Sequence, residues 1–209
     1  AFEPPDDDEL LAWFRAGHDA LIRTLAEADP AVEAFTFLPA PSALAFWARR
    51  QAHETAIHSA DAEAAAGIAA SFPADFAVDG LDELLGGFMS RSGGRLCSDP
   101  PVTLAVAALD AGRAWTMRIG PDGGSCEPGR VTASPTGHAA ATPTGFGAAS
   151  RTGPGSDMTA DTAADATVRG TASDLYLFLW NRLDRDAIAL DGDPAVLDLW
   201  RDQANVRWG

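Results

Sequence analysis

The most informative stretch of the sequence reads WARRQAHETAIHSAD and covers residues 47–61. It follows Ser42, a residue type that can cap a helix, and it continues in an Ala-rich run that Gly67 should end. On a helix, four of its ionisable side chains share one face about 80° wide. These side chains are Arg50, Glu54, His58 and Asp61. The stretch therefore predicts a long helix with a concentrated polar stripe.

Two interpretations of this polar stripe stay open. Glu54 and His58 are four residues apart, a spacing at which a carboxylate oxygen and an imidazole nitrogen can bind one divalent metal ion. His53 and His58 are five apart, which excludes the zinc-protease pattern of two histidines at i and i+4. Alternatively, Arg50, Glu54 and His58 form a surface ladder of ion pairs, each worth about 0.2–0.5 kcal/mol.

The opposite side of the same helix bears on this choice. It consists of small residues, namely Ala45, Ala48, Ala52, Ala56 and Ala60. If this alanine face is turned to solvent, the polar stripe points inward, and buried charge needs a metal ion or close pairing.

Helical periodicity predicts two further helices in the N-terminal part. The first follows the cap candidates of residues 6–8, carries an apolar stripe from Leu10 to Leu25, and ends before Asp29. The other spans roughly residues 81–90, with Asp79 as a possible cap. We therefore expect a helical bundle over residues 1–94. Because three helices are one fewer than in the common antiparallel bundle, we expect its first helices upstream of Ala1.

The hydrophobic period changes from helical to alternating after residue 94. The alternation predicts a hairpin over residues 102–119, and further strands near residues 130–133, 166–169 and 188–190. Two helices should follow the cap residues Thr171 and Asp193. Residues 95–209 thus predict a small antiparallel sheet with two helices, interrupted by a low-complexity insertion at residues 134–165 in which we place no catalytic residue. The expected fold class is α+β with two domains.

Composition narrows the classes of function. The 209 residues are 46% hydrophobic, which is enough for a core, and the net charge of −15 argues against nucleic acid and anionic membrane as partners. The sequence contains no run of about 18 apolar residues, so it predicts no membrane-spanning helix. Cys97 and Cys126 lie too far apart for a CxxC pair and read as reduced thiols, so we expect a cytoplasmic protein. All fifteen basic residues are Arg, which indicates a high-GC genome.

Several of these features resemble one family. The pattern W-x-x-R-x-x-H-E-x-x-x-H-x-x-D over residues 47–61 is similar to the metal-binding helix of the mycothiol-dependent maleylpyruvate isomerase family, whose N-terminal domain is a DinB-like helical bundle. The segment VRGTASDL at residues 168–175 and the segment FLWNR ending in Arg182 resemble that family's small C-terminal domain. The resemblance covers most of the chain outside the insertion.

The resemblance implies a metal site and a thiol cosubstrate. Glu54 and His58 would bind a divalent metal, usually zinc, with a third ligand from a His upstream of Ala1. His18 instead reads as a partly buried core residue. The metal would lower the pKa of mycothiol, a low-molecular-weight thiol, which adds to a cis double bond, allows rotation and leaves. Arg50, Asp61 and His53 are candidates for residues that contact and orient these two metal ligands.

The resemblance also implies a role for Arg182. By that likeness its guanidinium holds the carboxylate of an acidic substrate, although a charge facing the C-terminal end of its helix explains it equally well. The function implied is a metal-dependent, mycothiol-using isomerase or thiol transferase acting on a small electrophile. A noncatalytic divalent-metal-binding or regulatory module of the same fold is the alternative. Outside the family, the chain could be an interaction protein whose polar stripe is only a ladder of ion pairs.

Overall fold

The structure is a computed structural model that describes residues 5–91, 93–131, 156–158 and 164–206. Its contacts divide the chain into two compact units, Ala1–Ala56 and Ile57–Gly209. Within the described ranges, no helix combines the length and the apolar character that a bilayer span needs. The domain boundary near residue 94 stays a prediction.

The N-terminal unit contains helix α1, Leu10–Glu27, and the first part of helix α2, Ala43–Ala65. The Ser42 hydroxyl accepts a hydrogen bond from the Ala45 N–H at 3.1 Å, which confirms the predicted cap of α2. No side chain caps α1. Gly67 adopts a φ of +72° just after α2, a conformation that glycine reaches without strain and that ends the helix.

Helix α1 carries an exposed apolar surface. None of its residues is buried, and large side chains such as Leu10, Trp13 and Phe14 are each about half exposed or more. His18 is also exposed, so the expectation of a partly buried core histidine was wrong. The reason is that the apolar stripe around His18 is itself not covered by other described residues.

An aromatic cluster packs inside the N-terminal unit. The ring of Phe37 meets those of Phe46 and Trp47 edge-on, at centroid distances of 4.7 and 6.0 Å. The indole N–H of Trp47 donates to the carbonyl oxygen of Phe35 at 3.0 Å. These contacts fix the start of α2 against the segment that precedes it.

The first helix that lies entirely in the second unit differs from expectation. Helix α3, Ala74–Leu81, begins after Pro73 and continues directly into a π-helical segment, Asp82–Phe88. The predicted helix at residues 81–90 therefore starts seven residues too late. Its proposed cap, Asp79, lies inside α3, because the helix already starts after Pro73 with the acidic Asp75 in its first turn.

One six-stranded sheet forms the centre of the second unit, in the order β4-β3-β2-β1-β5-β6. Its strands are Val102–Ala108 (β1), Arg113–Gly120 (β2), Gly123–Val131 (β3), Ser156–Met158 (β4), Ala166–Gly170 (β5) and Ala189–Gly192 (β6). The predicted hairpin is confirmed, with Val106 opposite Trp115.

The sheet is mixed rather than purely antiparallel. Strand β5 runs parallel to β1, and β4 runs parallel to β3, whereas the other three pairs are antiparallel. The long connection before β5 gives the chain enough length for the crossover that a parallel pair requires. The α+β class is confirmed.

Helices α4, Ala172–Leu179, and α5, Ala195–Gln203, complete the second unit. Both predicted starts are confirmed. The Thr171 hydroxyl accepts from the Asp174 N–H at 3.1 Å, and the Asp193 carboxylate accepts from the Ala195 N–H at 2.9 Å. Fully buried side chains of the strands and helices form the core, among them Leu104, Trp115, Met117, Val168, Leu175, Tyr176 and Trp200.

Most of the insertion at residues 134–165 lies outside the described residues, as do residues 132 and 133 at the end of the third predicted strand. The described parts are β4 and residues 164–165. The Asp165 carboxylate accepts from the Thr103 N–H at 2.7 Å, so the end of the insertion is tied to the start of β1.

Candidate functional site

The residues of α2 that were singled out for chemistry differ in exposure. The fully buried positions follow a spacing of four and three residues and comprise Phe46, Arg50, His53, Ile57 and Ala60. Glu54 and Asp61 are half-buried, and His58 is exposed. Three of the five alanines of the opposite face, at positions 45, 48 and 52, are exposed. The polar stripe is thus turned inward at Arg50 and outward at His58.

Arg50 and Glu54 form an ion pair one helical turn apart. Arg50 Nη2 lies 3.1 Å from Glu54 Oε2, and the Arg50 side chain is only 1% exposed. A guanidinium so far from water needs such a carboxylate to offset its loss of hydration. Glu54 therefore already serves one partner.

His58, Asp61 and Arg182 form a second cluster, which we call the Asp61 cluster. His58 Nδ1 lies 3.1 Å from Asp61 Oδ2. Arg182 donates to both oxygens of the same carboxylate, from Nε at 2.9 Å and from Nη2 at 3.1 Å. The structure thus joins three residues that the sequence had marked, two on α2 and one beyond α4.

The Asp61 carboxylate is electrostatically stabilised. Its hydrogen bonds from Arg182 lower the pKa of Asp61 below its ordinary value, and the contact with His58 acts in the same direction. Partial burial opposes them. At neutral pH Asp61 is therefore an anion that can only accept hydrogen bonds.

An open groove of about 640 Å³ lies beside the Asp61 cluster. Its polar lining includes Asp61, Asn181, Arg182, Asp184, Arg201 and Asn205. Arg201 donates to the Leu183 carbonyl oxygen at 3.3 Å, and no carboxylate within the described ranges pairs with it. Sequence reasoning missed Arg201, because an exposed arginine near a helix end has no distinguishing pattern.

The two cysteines differ in burial, and Cys126 is poorly suited to act as a nucleophile. Cys126 lies in β3, and its burial, with Asp82 and Glu127 nearby, raises the pKa of its thiol to about 12. Cys97 is exposed and belongs to the segment between the π-helical segment and β1.

The donors for a metal ion are incomplete. Among the residues that the structure describes, no group of three or more His, Cys, Asp or Glu side chains is placed to hold a metal ion. Glu54 and His58 share α2 at the expected spacing, but they supply two donors where a catalytic zinc site uses three. The described residues alone therefore do not fit a complete metal site.

Comparison with solved structures gives only weak likenesses. The stereoselective inverting sec-alkylsulfatase from Pseudomonas sp. and a double mutant of a sec-alkylsulfatase each match with a TM-score of 0.35 and 17% identity. The match covers 55% of this chain but only 15% of the sulfatase chain. Similarity at this level supports no inference about fold or activity. No curated protein matches the chain.

Comparison with family models is decisive. The model of the mycothiol maleylpyruvate isomerase N-terminal domain matches residues 2–63, and the model of the MDMPI C-terminal domain matches residues 75–199. The second match alone spans more than half of the chain. The protein therefore belongs to the mycothiol maleylpyruvate isomerase family.

Proposed function

We propose that this protein uses mycothiol, a low-molecular-weight thiol, to isomerise a small electrophilic substrate or to transfer the thiol to it. Isomerisation of maleylpyruvate is one candidate reaction. The observation that carries the proposal is the arginine-lined groove beside the Asp61 cluster, in a chain that belongs to a mycothiol-associated family. Its volume of about 640 Å³ is within the range of small-molecule sites, about 300–1,000 Å³.

The groove favours a substrate with an anionic group. Arg201 can offer its guanidinium to a carboxylate, because no carboxylate in the described part of the chain competes for it. Arg182 remains a second candidate for this contact. A substrate carboxylate would then have to replace Asp61, which already holds two nitrogens of Arg182.

We also propose Glu54 and His58 as two ligands of a divalent metal ion, with zinc as the first metal to test. Their spacing on α2 and their types of donor atom support this proposal. Arg50, His53 and Asp61 then act on the ligands rather than on the metal. Arg50 does so through its ion pair with Glu54, and Asp61 through its contact with His58.

A noncatalytic divalent-metal-binding or regulatory module is the second candidate function. One observation favours it. The guanidinium of Arg182 is occupied by Asp61 and is not open to a substrate carboxylate. Such a module would bind metal or small anions without turning over an electrophile.

Metal analysis of the purified full-length protein tests the ligands. The wild type is compared with Glu54→Ala, His58→Ala and the control His18→Ala, which removes an exposed histidine from α1. Near-stoichiometric zinc that both ligand variants lose and the control keeps supports the site. Equal metal content in all four proteins would show that the polar stripe is only a ladder of ion pairs.

Turnover measurements separate the enzyme from the module. Mycothiol-dependent conversion of maleylpyruvate is measured for the wild type, for Arg201→Ala and for the control Arg118→Ala, an exposed arginine on β2. We expect KM for the acidic substrate to rise about tenfold in Arg201→Ala, since one charge-assisted contact is worth about 1.5–3 kcal/mol before solvent weakens it. Stoichiometric zinc without turnover of this or other small electrophiles would favour the module.

A further inference from the structure

We infer that Asn181 is a binding residue of the groove, and that its side-chain amide donates a hydrogen bond to an oxygen of the bound molecule. The inference deepens the proposed function and rests on it for one point only, the binding of a small anionic molecule in the groove. The ligand that Asn181 fits is a small acid with an oxo or hydroxyl oxygen near its carboxylate.

Helix α4 ends in a turn that requires a residue in the left-handed conformation. The Arg182 N–H donates to the Leu177 carbonyl oxygen at 2.8 Å, and the Asn181 N–H donates to the Phe178 carbonyl oxygen at 2.9 Å. This pair of hydrogen bonds is the Schellman motif, and Asn181 occupies its left-handed position with a φ of +60°. Glycine is the usual residue there, because it has no Cβ that clashes with the backbone. The other positions of positive φ that the structure describes are all glycines.

The side chain of Asn181 is what distinguishes this residue from a glycine. It lines the groove and is half-buried, and it makes no hydrogen bond to the residues that the structure describes. The hydrogen bonds that close the helix end use only the backbone of Asn181. A left-handed residue other than glycine is strained, and such residues are concentrated at ligand sites. The position of the amide in the groove therefore indicates a role in binding.

Asn181 and Arg201 offer two kinds of donor to one ligand. Arg201 Nη2 donates to the Leu183 carbonyl oxygen at 3.3 Å, which ties the guanidinium to the segment just after Asn181. Because consecutive Cα atoms are about 3.8 Å apart, Leu183 lies within about 8 Å of Asn181. A guanidinium suits a charged carboxylate, whereas an amide N–H suits a neutral oxygen. A small acid that carries both groups can therefore contact the two residues at once.

Equilibrium titration of the full-length protein with maleylpyruvate, in the absence of mycothiol, tests the inference. The dissociation constant is measured for the wild type, Asn181→Gly, Asn181→Asp and the control Arg118→Ala. Glycine keeps the left-handed turn and removes the amide. Aspartate also tolerates this turn, but its carboxylate cannot donate a hydrogen bond. Asn181→Asp lowers the net charge by the same amount as Arg118→Ala, so the control corrects for charge alone.

We expect the dissociation constant to rise about fivefold in Asn181→Gly, which is the effect of one lost hydrogen bond in an open groove. Asn181→Asp should weaken binding about tenfold or more, because its carboxylate also repels that of the ligand. Arg118→Ala should stay within about twofold of the wild type. In thermal unfolding without ligand, Asn181→Gly should lose no Tm, whereas Asn181→Ala should unfold about 2–4 °C lower, because its Cβ strains the left-handed turn.

Equal affinity in the wild type, Asn181→Gly and Asn181→Asp would overturn the inference. A Tm of Asn181→Gly several degrees below the wild type would overturn it as well, because the side chain would then support the helix end. Asn181→Asp checks this second role, since a purely structural position would tolerate aspartate. If a variant does not fold, the side-chain amide NMR signals of wild-type Asn181 decide the matter. They should shift on addition of maleylpyruvate, and unshifted signals or absent binding would refute the contact.

Mycothiol-dependent turnover is measured separately, so the inference and the proposed function can fail independently. Binding that depends on Asn181 in a protein without turnover would support the inference and contradict the enzymatic function. Turnover by a protein whose affinity for maleylpyruvate is the same in all Asn181 variants would support the enzymatic function and contradict the inference.

Discussion

Asp82 joins the π-helical segment to the sheet through a single carboxylate. Its Oδ1 accepts a hydrogen bond from the indole N–H of Trp115 at 2.6 Å, and the Trp115 side chain is almost fully buried in β2. Arg113 Nη2 lies 3.3 Å from Oδ2. We expect Asp82→Ala to destabilise the protein, mainly because the buried indole N–H loses its acceptor.

The magnitude follows from the burial of each partner. A buried donor left without an acceptor costs about 1–3 kcal/mol. The Arg113–Asp82 ion pair contributes less, about 0–1 kcal/mol, because more than a third of each side chain is exposed. The free energy of unfolding should fall by roughly 2 kcal/mol, which lowers Tm by about 4–8 °C for a chain of this size.

Urea unfolding followed by far-UV circular dichroism measures this loss. Asp82→Asn keeps a carbonyl acceptor for the indole and should lose less than about 1 kcal/mol. The control Asp186→Ala removes an exposed carboxylate and should stay within about 0.5 kcal/mol of the wild type. If Asp82→Ala also stayed within that limit, or if Asp82→Asn lost as much as Asp82→Ala, the hydrogen bond would not be the source of the stability.

Three further predictions concern single residues. Thr171→Ala should lower the free energy of unfolding by about 1 kcal/mol in urea titrations, whereas Thr171→Ser should preserve the cap of α4. Gly192→Ala should cost about 2 kcal/mol or more, because Gly192 has a φ of +96° and an added Cβ would collide with a backbone oxygen; Gly86→Ala meets no atom within 4 Å and should be tolerated. Burial raises the pKa of the Cys126 thiol to about 12 from an ordinary value of 9.0, so between these pH values the folded state keeps a proton that the unfolded state releases. The free energy of unfolding should therefore fall above pH 9.0, by at most about 1.4 kcal/mol per pH unit. Cys126→Ser should remove this component of the pH dependence.

The helix starts could be predicted where the stabilising contact is local. Ser42, Thr171 and Asp193 each accept a hydrogen bond from a backbone N–H two or three residues ahead, so the signal lies within a few letters of sequence. The start of α3 was missed although local signals for it exist. Pro73 directly precedes the helix and the acidic Asp75 lies in its first turn, whereas Asp79, the cap candidate, lies inside it.

Strand direction also depends on more than local pattern. Alternating side chains identified β1 and β5 as strands, but the pattern is the same for either direction of pairing. Their parallel pairing follows from the path of the chain between them, which no local signal records.

Part of the candidate site could be predicted because, as for the helix caps, its residues lie close together in the sequence. The spacing of Glu54, His58 and Asp61 places them on one face of α2 without any tertiary information. The partnership of Asp61 with Arg182 spans 121 residues, and it depends on how α4 ends. Arg201 reaches the groove only because α5 packs where it does, so its exposure could not be predicted from the sequence alone.

The central position of β1 has a consequence for the order of folding. Its pairing with β2 closes a short hairpin, whereas its pairing with β5 joins Leu104 to Ala166 across the insertion. Loop-closure entropy makes the distant pairing the slower of the two, so we expect the meander of β1, β2 and β3 to assemble first and β5 to enter the sheet later. Each doubling of the connecting length costs only about 0.6 kcal/mol in stability. The fold can therefore accept a long insertion at this point, with its effect falling more on the rate of folding than on the stability of the finished sheet.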